Sequence, residues 1–270
     1  MSNCRIYGKS PYKVALLHGG PGGAGTLKEL AQMLSTECGI LEPLQTKDSL
    51  AGQIEELKKT LEQHADLPVT LIGHSWGAML GFIFTATYPK FVNKLIMVGS
   101  GLFDPKYAKN IMETRISRLS EDKQIQLKKL EAIFNEDNDV SDELFYQFGK
   151  LMEKVDSFDA IKLSDYEIMK GQYHIYKSVW PEAAKMRETS ELLALGKKIK
   201  CPVVAIHGDY DPHPYQGVKE PLAKVISNFT FILLDKCGHE PWIERHAKDQ
   251  FMNLINTHLQ EMTQKMINKF

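Results

Sequence analysis

Three turns in this chain carry the residue types of acyl transfer. They are Gly73-His74-Ser75-Trp76-Gly77, Gly208-Asp209-Tyr210-Asp211 and Gly238-His239. A serine hydroxyl is a weak nucleophile until a base takes its proton. Imidazole suits that task because its unperturbed pKa is about 6.5, and a carboxylate can hold the ring in the required tautomer. The order is serine, acid, histidine, and the histidine follows the acid by about 28 residues. That gap leaves room for one crossover helix and one strand. The pattern therefore predicts a nucleophile Ser75, a base His239 and an acid from the Asp209–Asp211 turn, gathered at one edge of a sheet.

Such an arrangement needs particular elements around it. Pro68-Val69-Thr70-Leu71-Ile72 is a short apolar, β-branched run that predicts a buried strand. Met79-Leu80-Gly81-Phe82-Ile83-Phe84 predicts a buried helix. A serine on the sharp turn between them has a strained backbone that lifts its Oγ clear of the sheet. The glycines two before and two after remove side chains that would collide in that turn.

A second glycine-rich stretch follows the Lys13-Val14-Ala15-Leu16-Leu17 strand, running His18-Gly19-Gly20-Pro21-Gly22-Gly23-Ala24-Gly25. Acyl transfer puts negative charge on the substrate carbonyl oxygen, and two preorganised backbone N–H groups can hold it. Trp76 and Gly20 are the expected oxyanion donors. Gly20 to Gly25 also fits the dinucleotide pattern GxGxxG, with Glu42 near the expected acidic position, but that reading explains nothing downstream. A phosphate-binding P-loop fails because Thr26 stands where its lysine belongs. Thr26 and Glu29 predict a capping box that starts a helix through about residue 36.

Further strands are expected over 39–42, 93–98, 201–206 and 229–234, and helices over 48–65, 215–226 and from about 244. Strands alternating with helices predict an α/β fold: a mostly parallel sheet with helices on both faces. From about 102 to 196 the strand signals stop. Helical stretches near 123–134, 143–155 and 166–177, with Ser120, Ser141 and Ser164 as N-caps, predict a helical cap insertion over the strand ends. The expected division is a core of 1–101 and 197–270 around a cap of 102–196. Residues 131–143 carry six acidic side chains and no basic one, which reads as a solvated face or, alternatively, a site for a cationic substrate.

With a net charge of −1, no nucleic-acid partner is expected. No apolar run reaches the roughly 18 residues of a membrane span, and residues 1–10 lack a signal-peptide core, so a cytoplasmic location is expected. The four cysteines form no CxxC and read as reduced thiols. His207, Asp209, Asp211 and His213 alternate as metal ligands can, but they straddle a turn containing Pro212 and Pro214, so no metal and no cofactor are expected.

From Lys13 to the final helix the sequence resembles the α/β-hydrolase superfamily. The likeness rests on His18-Gly19-Gly20-Pro21-Gly22, Gly73-His74-Ser75-Trp76-Gly77, Gly208-Asp209-Tyr210-Asp211 and Gly238-His239. The glycine loop with a Gly-x-Ser-Trp-Gly elbow is most similar to the proline iminopeptidase branch. The Asp-Gln-Arg-Gly segment of that branch is missing, and the N-terminal hairpin is short or absent. The superfamily pattern implies Asp211 rather than Asp209 as the acid. It also implies a small-molecule substrate: an ester or amide first, an amino-terminal residue second, and a slowly turned-over or merely bound ligand third. His18, His74, Trp180 and Trp242 are the expected pocket residues, with Trp76 as a further apolar wall.

Overall fold

Alternating apolar residues send each strand's side chains to two different cores. In the computed structural model, which describes residues 3–136, 140–165 and 168–267, Val14, Leu16, Ile72, Ile96, Val204 and Ile206 fill one buried cluster. Ala15, Leu17, Leu71, Leu95, Met97, Val203 and Ala205 fill the other. Successive residues of a strand point to opposite faces, and a sheet covered on both faces reads as a near-continuous apolar run.

The strands are β1 (Cys4–Tyr7), β2 (Tyr12–Leu17), β3 (Gly39–Pro43), β4 (Val69–His74), β5 (Val92–Val98), β6 (Val203–Gly208) and β7 (Phe229–Leu234). They form one sheet in the order β1-β3-β2-β4-β5-β6-β7. All pairings are parallel except that of β1 with β3. The short β1 was not foreseen from the sequence.

The first helices are α1 (Lys28–Leu34), α2 (Leu50–His64) and α3 (Trp76–Thr87). Between β5 and β6 lie α4 (Ile111–Ser117), α5 (Glu121–Asn135), α6 (Asp142–Asp156), α7 (Gln172–Glu188) and α8 (Glu191–Ala194). The helix α9 (Gln216–Val225) joins β6 to β7, and α10 (Lys248–Ile267) follows β7. Ser49 caps α2 by accepting from the Gly52 N–H, and Ser141 caps α6 through the Leu144 N–H, both at 3.2 Å.

Three expected caps fail, and of these Ser120 stands at the start of α5 but makes no side-chain cap hydrogen bond. The helix after the glycine loop starts at Lys28 with no side-chain cap, so Thr26 and Glu29 form no capping box. Ser164 instead sits in the loop before α7, where its N–H and Oγ each donate to a glutamate. Residues 166 and 167, which the sequence placed in a helix, lie outside the described residues.

The segment leaving α6 is stitched to the loop after β7. The Glu244 carboxylate, fully buried, accepts from the N–H groups of Phe158 (2.7 Å), Asp159 (2.8 Å) and Gly238 (2.8 Å). The carbonyl of Asp156 accepts from the His239 N–H at 3.0 Å. The helices between β5 and β6 are thus tied directly to the backbone that carries His239.

Candidate active site

Ser75 stands between β4 and α3 with φ 52° and ψ −114°. A non-glycine residue there carries backbone strain of roughly 1–3 kcal/mol, which surrounding packing must offset. The packing is visible at the flanking glycines. A Cβ on Gly77 would lie 2.0 Å from the Leu17 carbonyl oxygen, and one on Gly73 would lie 2.3 Å from that of Gly77. Neither position admits a side chain, which is the physical reason for the Gly-x-Ser-x-Gly spacing. Trp76 opens α3, so its N–H is among the first-turn donors that a helix leaves unpaired. Gly20, at φ +106°, lines the same cavity as Ser75.

Asp211 follows β6 and His239 follows β7, so both emerge at the carboxyl ends of their strands, as Ser75 does. The two turns are held together by backbone: Tyr210 N–H donates to the Cys237 carbonyl at 2.9 Å. Asp209 accepts from the Cys237 N–H at 3.1 Å. Asp211 is the aspartate that reaches the imidazole, its Oδ2 accepting from His239 Nδ1–H at 2.6 Å. The two aspartates of the turn therefore do different work, one shaping the loop and the other facing the ring.

Burial alone would raise the Asp211 pKa. Electrostatic attraction to the neighbouring imidazoles, His239 first and then His207 and His213, and a hydrogen bond from His213 pull it well below the usual carboxylate range. Burial alone would also favour neutral His239. The Asp211 carboxylate, by charge and by hydrogen bond, outweighs that and raises the imidazole pKa. An imidazole so poised accepts a proton readily and has an anion in place to stabilise the cation formed.

Ser75, His74, His213 and His239 line a cavity of about 400 Å³ together with the glycine loop. That is within the size range of small-molecule sites. The helices α4, α6 and α7 supply the opposite wall. It is part apolar, with Met112, Phe145, Phe148, Met152, Tyr176 and Trp180, and part charged, with Arg115, Glu153 and Asp156 joined by Glu240. Arg115 forks onto Asp156, with Nε–Oδ1 2.8 Å and Nη2–Oδ2 2.5 Å. Glu153 accepts from Lys150 Nζ at 2.5 Å and from the Ser164 N–H. Glu240 accepts from Ser164 Oγ at 3.0 Å. Burial and the neighbouring Glu153 charge push Glu240 up to about 8.

Of the expected pocket residues, His74 and Trp180 line the cavity, whereas His18, Trp242 and Trp76 do not. His18 is fully buried behind the loop, within 2.7 Å of the Gly19 carbonyl and 3.0 Å of the Leu44 carbonyl. Trp242 is fully buried and packs edge-on against His74 at 4.8 Å. Trp76 turns into the core, where its Nε1–H donates to Gln53 at 3.1 Å. Each ring is held behind the cavity by its own contacts: His18 by two carbonyls, Trp76 by Gln53, and Trp242 by His74 and Phe251.

The acidic run of 131–143 lies partly outside the described residues at 137–139, and none of its described members lines the cavity. Asp142 there caps α7, accepting from the N–H groups of Gly171 and Tyr173. The carboxyls at the site were missed: Glu153 and Asp156 on the last turns of α6, and Glu240 immediately after His239. The adjacency of Glu240 to His239 was the available signal. Cys237 is fully buried and its thiol pKa is pushed up by burial, which suits packing rather than reactivity. Among the described residues, Asp211, His213 and His239 are the one group of three or more with ligand-type atoms within 4.8 Å of one another. No helix among the described residues is long and apolar enough to cross a membrane.

This sheet order, with a serine on a strained turn after β4 and an acid–imidazole pair after β6 and β7, is the layout of the α/β hydrolases. The family model described as alpha/beta hydrolase fold matches residues 18–245, and the chain belongs to that family. Among its relatives is a proline iminopeptidase of Saccharolobus solfataricus, 24% identical, the match covering 91% of this chain and 84% of the relative. A proline iminopeptidase of Lactobacillus delbrueckii subsp. bulgaricus is 26% identical, over 92% of this chain and 90% of the relative. Among solved structures, that of VinJ superposes with a TM-score of 0.69 at 18% identity, covering 96% of this chain and 94% of the other. At that identity the likeness speaks to the fold. The family and its relatives make the protein a hydrolase.

Proposed function

We propose that this hydrolase is a serine hydrolase that cleaves a small ester- or amide-type substrate through an acyl-enzyme. Ser75 Oγ attacks the carbonyl carbon while His239 takes its proton. The N–H groups of Trp76 and Gly20 receive the developing oxyanion. His239 returns the proton to the leaving group, then deprotonates the water that releases the acyl group. Residues 102–196 act as a helical cap that roofs the reaction. The observation that carries this reading is a serine at φ 52° lining the same cavity as His239, whose Nδ1 makes a 2.6 Å hydrogen bond to the buried Asp211.

A specific feature favours an aminopeptidase of the proline iminopeptidase type as the second reading. Glu153 and Glu240 share Ser164 as a hydrogen-bond donor and both line the cavity. Their mutual repulsion would be relieved by an ammonium group, such as a free substrate amine, placed beside them. The two proline iminopeptidase relatives point the same way.

Labelling with a fluorophosphonate, with the adduct mapped by mass spectrometry, tests the first reading. Adduct formation on Ser75 that is lost in His239→Ala is the expected result. Absence of an adduct on the folded wild-type protein overturns it and favours a ligand-binding role without turnover. Hydrolysis of p-nitrophenyl esters beside amino-acid anilides, free and N-acetylated, then separates esterase from aminopeptidase.

A further inference from the structure

We infer that His213 is a positioning residue for this triad, holding the Asp211 carboxylate in the orientation that His239 requires; the inference rests on the serine-hydrolase reading above. Asp211 Oδ1 accepts twice from His213, from its backbone N–H at 2.9 Å and from its ring Nδ1–H at 2.8 Å. That leaves Oδ2 facing His239 Nδ1 at 2.6 Å. His213 is itself anchored, because its carbonyl accepts from His207 Nε2–H at 2.8 Å. Its ring stacks on that of His239, with centroids 5.0 Å apart and planes inclined by 30°.

The local sequence Asp211-Pro212-His213-Pro214 explains the first of these bonds. An aspartate oxygen that accepts from the N–H two residues on forms an Asx turn, and a proline between them fixes φ near −65°. Many residues at position 213 could supply that backbone N–H. The ring donor is what a histidine adds. Burial lowers the His213 pKa, so it donates from Nδ1 as a neutral ring and places no full charge beside His239. The groups around this pair are His207 on β6, His74 at the end of β4, Glu240 directly after His239, and Arg115 and Asp156 from α4 and α6.

The test compares His213→Asn, which keeps a donor near the Nδ1 position, with His213→Leu, which removes it, and His213→Gln, which displaces it by one methylene. The readout is the rate of fluorophosphonate labelling of Ser75 as a function of pH, with thermal unfolding as a control. His213→Leu and His213→Gln should label about 10- to 100-fold more slowly, the range expected for one hydrogen bond to a charged group. His213→Asn should stay within a few-fold of wild type. The acid limb of His213→Leu should move upward, because a carboxylate relieved of one donor binds the His239 proton more tightly. Wild-type rates in His213→Leu, or equal slowing in all three variants, overturn the inference while leaving Ser75 as nucleophile. Should His213→Leu not fold, equal rates in His213→Asn and His213→Gln overturn it as well. A wild-type protein that forms no adduct overturns the serine-hydrolase reading and this inference together.

Discussion

The two walls of the cavity are built by different means. Ser75, Asp211 and His239 hang from the ends of β4, β6 and β7, and backbone hydrogen bonds between neighbouring turns fix them. The facing wall hangs from α4, α6 and the loop before α7. Its polar groups are fixed mainly by side chains: the Arg115–Asp156 fork, the Lys150–Glu153 pair and the Ser164 Oγ bond to Glu240, with one backbone bond from the Ser164 N–H to Glu153. A wall of the first kind sets bond chemistry, because its geometry hardly varies. One of the second kind can be respecified residue by residue, which suits a role in substrate choice.

The largest expected effect breaks the first wall. Ser75→Ala should lower kcat by about 10⁶-fold, by analogy with a dissected serine protease. Assay against whichever ester or anilide proves active checks this, and retention of most activity would exclude Ser75 as the nucleophile. No comparable collapse is expected from any single change in the facing wall.

The seam between the walls comes next. Glu244 satisfies three buried N–H groups, two on the segment leaving α6 and one beside His239. Glu244→Leu leaves all three without their acceptor. At roughly 1–3 kcal/mol for each buried unsatisfied group, the loss should be about 3 kcal/mol or more in chemical denaturation. Glu244→Gln, which keeps one acceptor oxygen, should lose less. Equal stability of the leucine variant and wild type would show that water replaces the carboxylate.

This difference also explains how much could be read from the sequence. Gly73 and Gly77 announce Ser75 because the clashes they avoid are local, within a few residues or with the adjacent strand. Asp211 and His239 announce themselves through the spacing of one helix and one strand. The facing wall carries no such local signature. Glu153 and Glu240 are 87 residues apart in sequence, 240 less 153, and come together in the cavity, where both accept from Ser164. Trp242 and His18 were expected at the pocket because of what they are, yet packing drew both behind it. The strand β1 escaped notice because four residues, of which Cys4 alone is buried, give too little periodicity.

A smaller effect sharpens the comparison on the substrate side. Glu240→Gln removes the carboxyl that follows His239 and shares Ser164 with Glu153 of the facing wall, and it leaves the three triad side chains unchanged. If that wall receives an amine, kcat/KM for free amino-acid anilides should fall about 10- to 100-fold, the range for a hydrogen bond to a charged group. Neutral p-nitrophenyl esters should be hydrolysed at the wild-type rate. Equal effects on both substrates would place Glu240 with the triad, and no effect on either would remove the amine site.

The finest comparison is made with pH. On the proposed mechanism His239 must be neutral to take the serine proton, so activity should fall as pH drops through its pKa. The Asp211 carboxylate raises that pKa, which sets the acid limb of kcat/KM above 6.5. Asp211→Asn leaves burial as the dominant influence, and the limb of the residual activity should move down, below 6.5. From the facing wall, the Asp156 charge raises the same pKa and the Arg115 charge lowers it. The pair is forked, so its two charges sit close together and act on His239 with opposite signs. Replacing both at once, as Arg115→Met with Asp156→Leu, should therefore leave the limb nearly in place, while the backbone carbonyl at 156 still holds the His239 N–H. A large shift in that double variant would mean that the two charges do not cancel at His239, and the division between a chemical wall and a selective one would have to be given up.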